Sequence, residues 1–144
     1  MKQLLVLCSV LSLIWACQSN DQASSANSQE IPEDFMQFYR NFHSDSIFQI
    51  EHINFPLEGL PSYADPKDLV DGKFYWQKED WTFQKSIDFE FSDFERILMP
   101  INAFIIEETI LHKTEKLAIR RKFVKFGDEW SLSYYTGLNP YSLD

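Results

Sequence analysis

The chain has 144 residues, with 13 Lys and Arg against 22 Asp and Glu, a formal net charge of −9, and 44% hydrophobic residues. One folded core is expected at this length. The acidic balance, with no basic stripe to override it, argues against binding nucleic acid or anionic lipid through charge.

Met1–Ala16 reads as a targeting segment. Lys2 supplies a positive start and Leu4–Ile14 an apolar run. That run is shorter than the ~20 residues of a transmembrane helix and suits a secretory signal. It ends Ile14-Trp15-Ala16-Cys17, which resembles a bacterial lipobox: an aliphatic residue, then a small residue directly before the cysteine. Trp15 departs from the small residue usual at its place. The resemblance implies cleavage before Cys17 and lipidation of Cys17. The alternative is an ordinary signal peptide whose Cys17 is incidental. Cys8 leaves with the signal, so the folded part has no disulfide, thiol nucleophile or thiolate metal site. Residues 17–30 carry no large apolar side chain and read as a flexible tether. Gln18, standing where an aspartate would direct inner-membrane retention, points to the outer membrane, with the domain facing the periplasm or the surface. Residues 31–144 then form a single domain.

Pro32 followed by Glu33 and Asp34 starts a helix. Phe35, Phe38, Tyr39 and Phe42 form one apolar stripe, read as core in preference to the lining of a cavity. His43 falls at the helix end, where a partly positive imidazole suits the dipole. His43, His52 and His112 share no metal-ligand spacing, so no metal is expected. Ser46-Ile47-Phe48-Gln49 matches a capping box and opens a second short helix from Asp45 or Ser46. A strand follows around His52–Leu57, restricted by Pro56 to an edge or a bulge. Glu58–Gly72 is a long loop of the length of lids and rims, in which Asp65-Pro66-Lys67-Asp68 caps one helical turn. Lys73–Gln84 reads as two strands about a turn near Glu79-Asp80, with Trp76 opposite Phe83. Ile87, Phe89 and Phe91 continue as a strand or extended segment. Ser92-Asp93-Phe94-Glu95 matches another capping box, opening a helix that Pro100 stops.

Phe104–Thr136 holds three runs rich in β-branched and aromatic residues, split by two polar turns, the pattern of an antiparallel meander. Lys113–Lys116 is an even-length connection and sets Glu108 opposite Arg121, Ile110 opposite Ile119 and Ile106 opposite Phe123. Gly127-Asp128 suits a two-residue type II′ turn, which sets Phe123 opposite Leu132 and Arg121 opposite Tyr134. Ile106, Ile110, Ile119, Phe123, Trp130 and Leu132 then share the core face with Glu108, Arg121 and Tyr134. These last three form a polar row. It is read as a structural ion pair, as the polar floor of an apolar pocket, or, if a turn shifts the parity, as a solvated set.

Helices followed by antiparallel strands make an α+β domain. This order resembles the nuclear transport factor 2-like fold, in which a curved antiparallel sheet forms a cone around N-terminal helices. Asp45-Ser46-Ile47-Phe48-Gln49, then Ile53-Asn54-Phe55-Pro56-Leu57 and Gly59, resembles the opening motif of the secreted lipoprotein family called domain of unknown function 4348. Trp81, the Glu-rich run Ile105–Leu111 and Gly-Asp-Glu-Trp-Ser-Leu continue the likeness, and His52 departs from a basic position of the motif. The family implies a fold and an envelope location but no activity.

No phosphate loop, metalloprotease helix, serine elbow or calcium loop occurs, and no cofactor is expected. The favoured function is a noncatalytic envelope lipoprotein, held at the membrane through Cys17, that binds a small ligand or an envelope protein through its cone pocket or rim. The alternative is a small lyase, isomerase or hydrolase with Glu108 as base. A Glu108 open to a pocket favours the enzyme; one fully paired and sealed favours a structural role.

Overall fold

A computed structural model describes residues 30–141. The signal segment at 1–16, Cys17 and the tether up to Gln29 lie outside the described residues. The described residues form helices α1 (Glu33–Ser44) and α2 (Ser46–Glu51) and strands β1 (Ile53–Leu60), β2 (Phe74–Trp76), β3 (Phe94–Asn102), β4 (Ile105–His112), β5 (Leu117–Phe126) and β6 (Glu129–Pro140). The strands make one curved sheet in the order β2-β1-β6-β5-β4-β3. The fold class is α+β, with both helices at the N-terminal end of the domain.

α1 forms where Pro32 sets the first turn and Glu33 and Asp34 complement the dipole. Its aromatic stripe is core. Phe35, Phe38, Tyr39 and Phe42 are buried, and the rings of Phe35 and Phe42 meet Phe123 of β5 edge-on at 5.4 and 5.6 Å. Burying one such side chain contributes roughly 1.5–3 kcal/mol. At the helix start Asp34 Oδ2 accepts from Lys125 Nζ at 2.6 Å and from Trp130 Nε1 at 3.2 Å, which ties α1 to the β5–β6 hairpin. α2 is capped as its sequence suggests, Asp45 accepting from Ile47 N and Phe48 N. Gln49, fully buried on α2, donates to the Phe42 and Gln84 carbonyls and accepts from Trp81 Nε1 and Gln84 N. With all four contacts filled, the amide causes no buried polar deficit and anchors the irregular segment that follows β2.

The meander has the expected pairing over most of its length. Ile106 faces Phe123, Glu108 faces Arg121 and Ile110 faces Ile119; Lys125 faces Trp130 and Phe123 faces Leu132. Gly127 takes φ +60° at the first turn position, where a type II′ turn calls for glycine. Beyond Leu132 the register of β6 shifts by one residue, so that Lys122 faces Tyr134 and Arg121 faces Tyr135. The added residue is Ser133, whose hydroxyl donates to the Lys122 carbonyl at 3.1 Å. This bulge corrects the expected row: Tyr135, and not Tyr134, joins Glu108 and Arg121 on the core face.

Three other expectations are corrected. Residues 92–102 do not form a capped helix. Phe94–Asn102 is β3, the outer strand, paired to β4 along its length, and Pro100 is tolerated because an edge strand leaves alternate N–H groups unused. Residues 73–84 do not form a hairpin. Phe74–Trp76 pairs with β1, placing Trp76 opposite Leu57; a 3-10 turn at Lys78–Asp80 follows, and Phe83 lies in no strand. The sheet is also not wholly antiparallel, for β1 runs parallel to β6. Pro56 falls where that pairing changes register, between Ile53 and Glu58, which is the bulge alternative. The turn at Pro66–Asp68 forms with Asp65 accepting from Lys67 N, as expected.

Candidate functional site

The polar centre of the domain is built from three elements. Glu108 on β4 and Arg121 on β5 stand directly opposite each other, and Arg121 Nη1 donates to Glu108 Oε2 at 2.8 Å. Tyr39, on the stripe of α1 one helical turn from Phe35 and Phe42, reaches down from the helix and donates its hydroxyl to the other oxygen, Oε1. Glu108 is 1% exposed and Arg121 3%. Both oxygens of this buried carboxylate are engaged by donors, one of them cationic, which offsets the cost of its burial. In Tyr39 burial first, then the adjacent Glu108 charge, push the phenol well above the usual range, so the proton stays on the tyrosine. The Arg121 guanidinium also lies 5.8 Å over the ring of Tyr135, the residue that the bulge turns inward.

His43, four residues beyond Tyr39 on the same helix face, packs against its ring at 4.4 Å between centroids. Nδ1 donates to the Gln84 carbonyl at 2.8 Å, while Nε2 is buried without a partner. Burial, with the Arg121 charge beside it, lowers its pKa to about 4. The imidazole is therefore neutral at pH 7, which corrects the expectation of a partly positive ring serving the helix dipole.

Tyr39 and His43 form one wall of a hollow of about 280 Å³ between α1 and the inner side of β3; Met36, Arg40, Ser44, Ser86 and Arg96 complete it. No carboxylate lines it. The Arg96 guanidinium lies 5.2 Å from the ring centre of Tyr39 and 5.2 Å from that of Phe89. Glu108 and Arg121 are not among the residues that line this hollow; Tyr39, which does line it, reaches Glu108 through its hydroxyl.

Of the three residues singled out from sequence, the structure pairs Glu108 with Arg121 and turns Tyr134 off their row. All three nevertheless line one smaller hollow of about 180 Å³, with Glu107, Thr109, Arg120 and Lys122, while the Glu108 and Arg121 side chains themselves stay buried. Sequence reasoning missed Tyr39, His43 and Arg96 as a group. The first two were legible as one helix face by their spacing; Arg96 was hidden by the helical reading of its segment.

No protein-family model matches the chain, and no curated protein matches it. Among solved structures the chain is similar to the crystal structure of an NTF2-like protein from Bacteroides fragilis, at 21% identity and a TM-score of 0.49, covering 75% of this chain and 48% of the other. The chain spans about half the length of that protein.

Proposed function

We propose that the protein is a noncatalytic lipoprotein of the bacterial envelope, anchored through Cys17, that binds a small ligand in the hollow between α1 and β3. One observation carries the binding reading over the enzymatic one: Glu108 is 1% exposed with both oxygens bonded. A general base must reach its substrate's proton directly or through one water, and this buried carboxylate already has both oxygens engaged. His43 is a poor substitute, since a group with a pKa near 4 has little proton affinity at neutral pH. The hollow joins the side chain of Met36 and the ring of Tyr39 to the polar groups of Arg40, His43, Ser44, Ser86 and Arg96, apolar surface with placed polar groups as small-molecule sites have. The anchoring half of the proposal is supported by Ile14-Trp15-Ala16-Cys17 and the polar spacer after it.

Native mass spectrometry of the protein, isolated from a bacterial membrane fraction, tests the binding half. The expected result is a small-molecule adduct that disappears in Ser86→Trp, whose indole fills the hollow. An adduct that survives the substitution contradicts the reading, as does a wild-type protein that carries no adduct and takes none up from a cell extract.

A further inference from the structure

The hollow has a charge character opposite to that of the molecule. In a chain of net charge −9, its lining has two arginines and no carboxylate. Among the described residues, neither Arg40 nor Arg96 is in an ion pair. Arg96 is moreover held in place, between the faces of Tyr39 and Phe89, so its planar fork is pre-organised for a carboxylate.

A second, independent feature lies in the same wall. His43 is 6% exposed. With Nδ1–H committed to the Gln84 carbonyl, Nε2 carries a lone pair, and this buried acceptor has no donor. A buried acceptor left unmatched is costly; His43 lines the hollow but its Nε2 is closed to solvent, so a ligand that brings an O–H or N–H matches it once the side chains covering it shift. The apolar side of Met36 and the edge of Tyr39 suit a short hydrocarbon or ring between the two polar ends.

We infer that the ligand is a small organic carboxylate with a hydroxyl or N–H donor near the acid, the carboxylate bound by Arg96 and Arg40 and the donor given to His43 Nε2. This rests on the binding reading above and adds the ligand's chemical class. At about 280 Å³ the hollow is near the lower end of small-molecule sites, which begin at ~300 Å³, so it is of a size to hold a hydroxy acid or amino acid.

The test uses full-length protein in neutral detergent, titrated calorimetrically, with the methyl signal of Met36 reporting location. Two probe sets are compared: mandelate, phenyllactate and glycerate, and the corresponding amides. The expected result is that at least one acid binds and shifts the Met36 signal, and that its amide binds roughly tenfold more weakly or worse, as expected on losing a charge-assisted hydrogen bond. Arg96→Gln, an exposed position, should weaken the acid by a similar factor and leave the amide unchanged. His43→Phe should remove the preference for mandelate over phenylacetate, which lacks the hydroxyl. Arg40→Gln repeats the charge test should Arg96→Gln fail to fold. Amides that bind at the Met36 signal as tightly as their acids, or an acid indifferent to both arginine substitutions, overturn the carboxylate assignment and leave small-ligand binding standing. Neither set shifting Met36 at millimolar concentration overturns both.

Discussion

Burial holds His43 uncharged down to about pH 4, whereas an unfolded histidine protonates near 6.5. Between those values the unfolded chain binds the extra proton and the folded one does not, so stability rises with pH across this interval and is lost as pH falls from 6.5 towards 4. The full difference amounts to about 3 kcal/mol. Denaturant melts of the wild type should weaken from pH 7 to 5, and His43→Phe should flatten that dependence. An equally steep fall in the variant would assign the effect to other groups. Phe123 sits at the opposite extreme, an apolar side chain with no exposure, touching Phe35, Phe38, Tyr39 and Phe42. Phe123→Ala should cost roughly 3–5 kcal/mol, measured by urea unfolding. A loss below ~1 kcal/mol would mean that the site collapses around the deletion. Phe123 was legible in the sequence because even connections on both sides fix its face. Tyr134 was misplaced because one bulged residue, Ser133, reverses the parity beyond it, and such a bulge demands no particular residue type.

The strand elements divide by how local their causes are. β4, β5 and β6 follow from alternation and turn chemistry contained in neighbouring residues, so they were readable. β3 was not. Ser92-Asp93-Phe94-Glu95 has the residues of a capping box, and Phe94, Ile97, Leu98 and Ile101 also fit a helical stripe. Pairing with β4 decides in favour of the strand, and tertiary pairing is absent from any short window. The parallel contact between β1 and β6 is likewise a long-range event. It brings Gly59 beside Tyr135 so closely that an added Cβ would overlap the Tyr135 carbonyl. Gly59→Ala should therefore force β1 away from β6 and destabilise the domain by several kcal/mol, on the order of an overpacked core. Gly127→Ala provides the contrast. Nothing crowds that position, and only the positive φ opposes the substitution, at a cost of about 1 kcal/mol. Comparable losses for the two, read in parallel melts, would argue against the close β1–β6 contact.

Among the described residues, α1 is held to the sheet by its aromatic stripe on Phe123, by Asp34 with Lys125 and Trp130 and by the buried cluster of Tyr39, Glu108 and Arg121, and the hollow between α1 and β3 lies beside that cluster. The proposed anchor at Cys17 lies outside the described residues and has its own test. Cys17→Ser, expressed from the full chain in a bacterium, should move the protein to the soluble fraction, and retention of the variant at an unchanged mass would exclude the anchor. For the domain itself the decisive group is Glu108. If it is a structural brace joining Tyr39 of α1, β4 and β5, removing either charge strands the other in the core, at roughly 3–5 kcal/mol. Exchanging both for leucine should recover much of that loss. The measurement is a double-mutant cycle of Glu108→Leu and Arg121→Leu by urea unfolding at pH 7. The brace predicts two strongly destabilised single variants and a coupling of ~2 kcal/mol or more. Single variants as stable as the wild type, with no coupling between them, would contradict it and return Glu108 to consideration as a catalytic base.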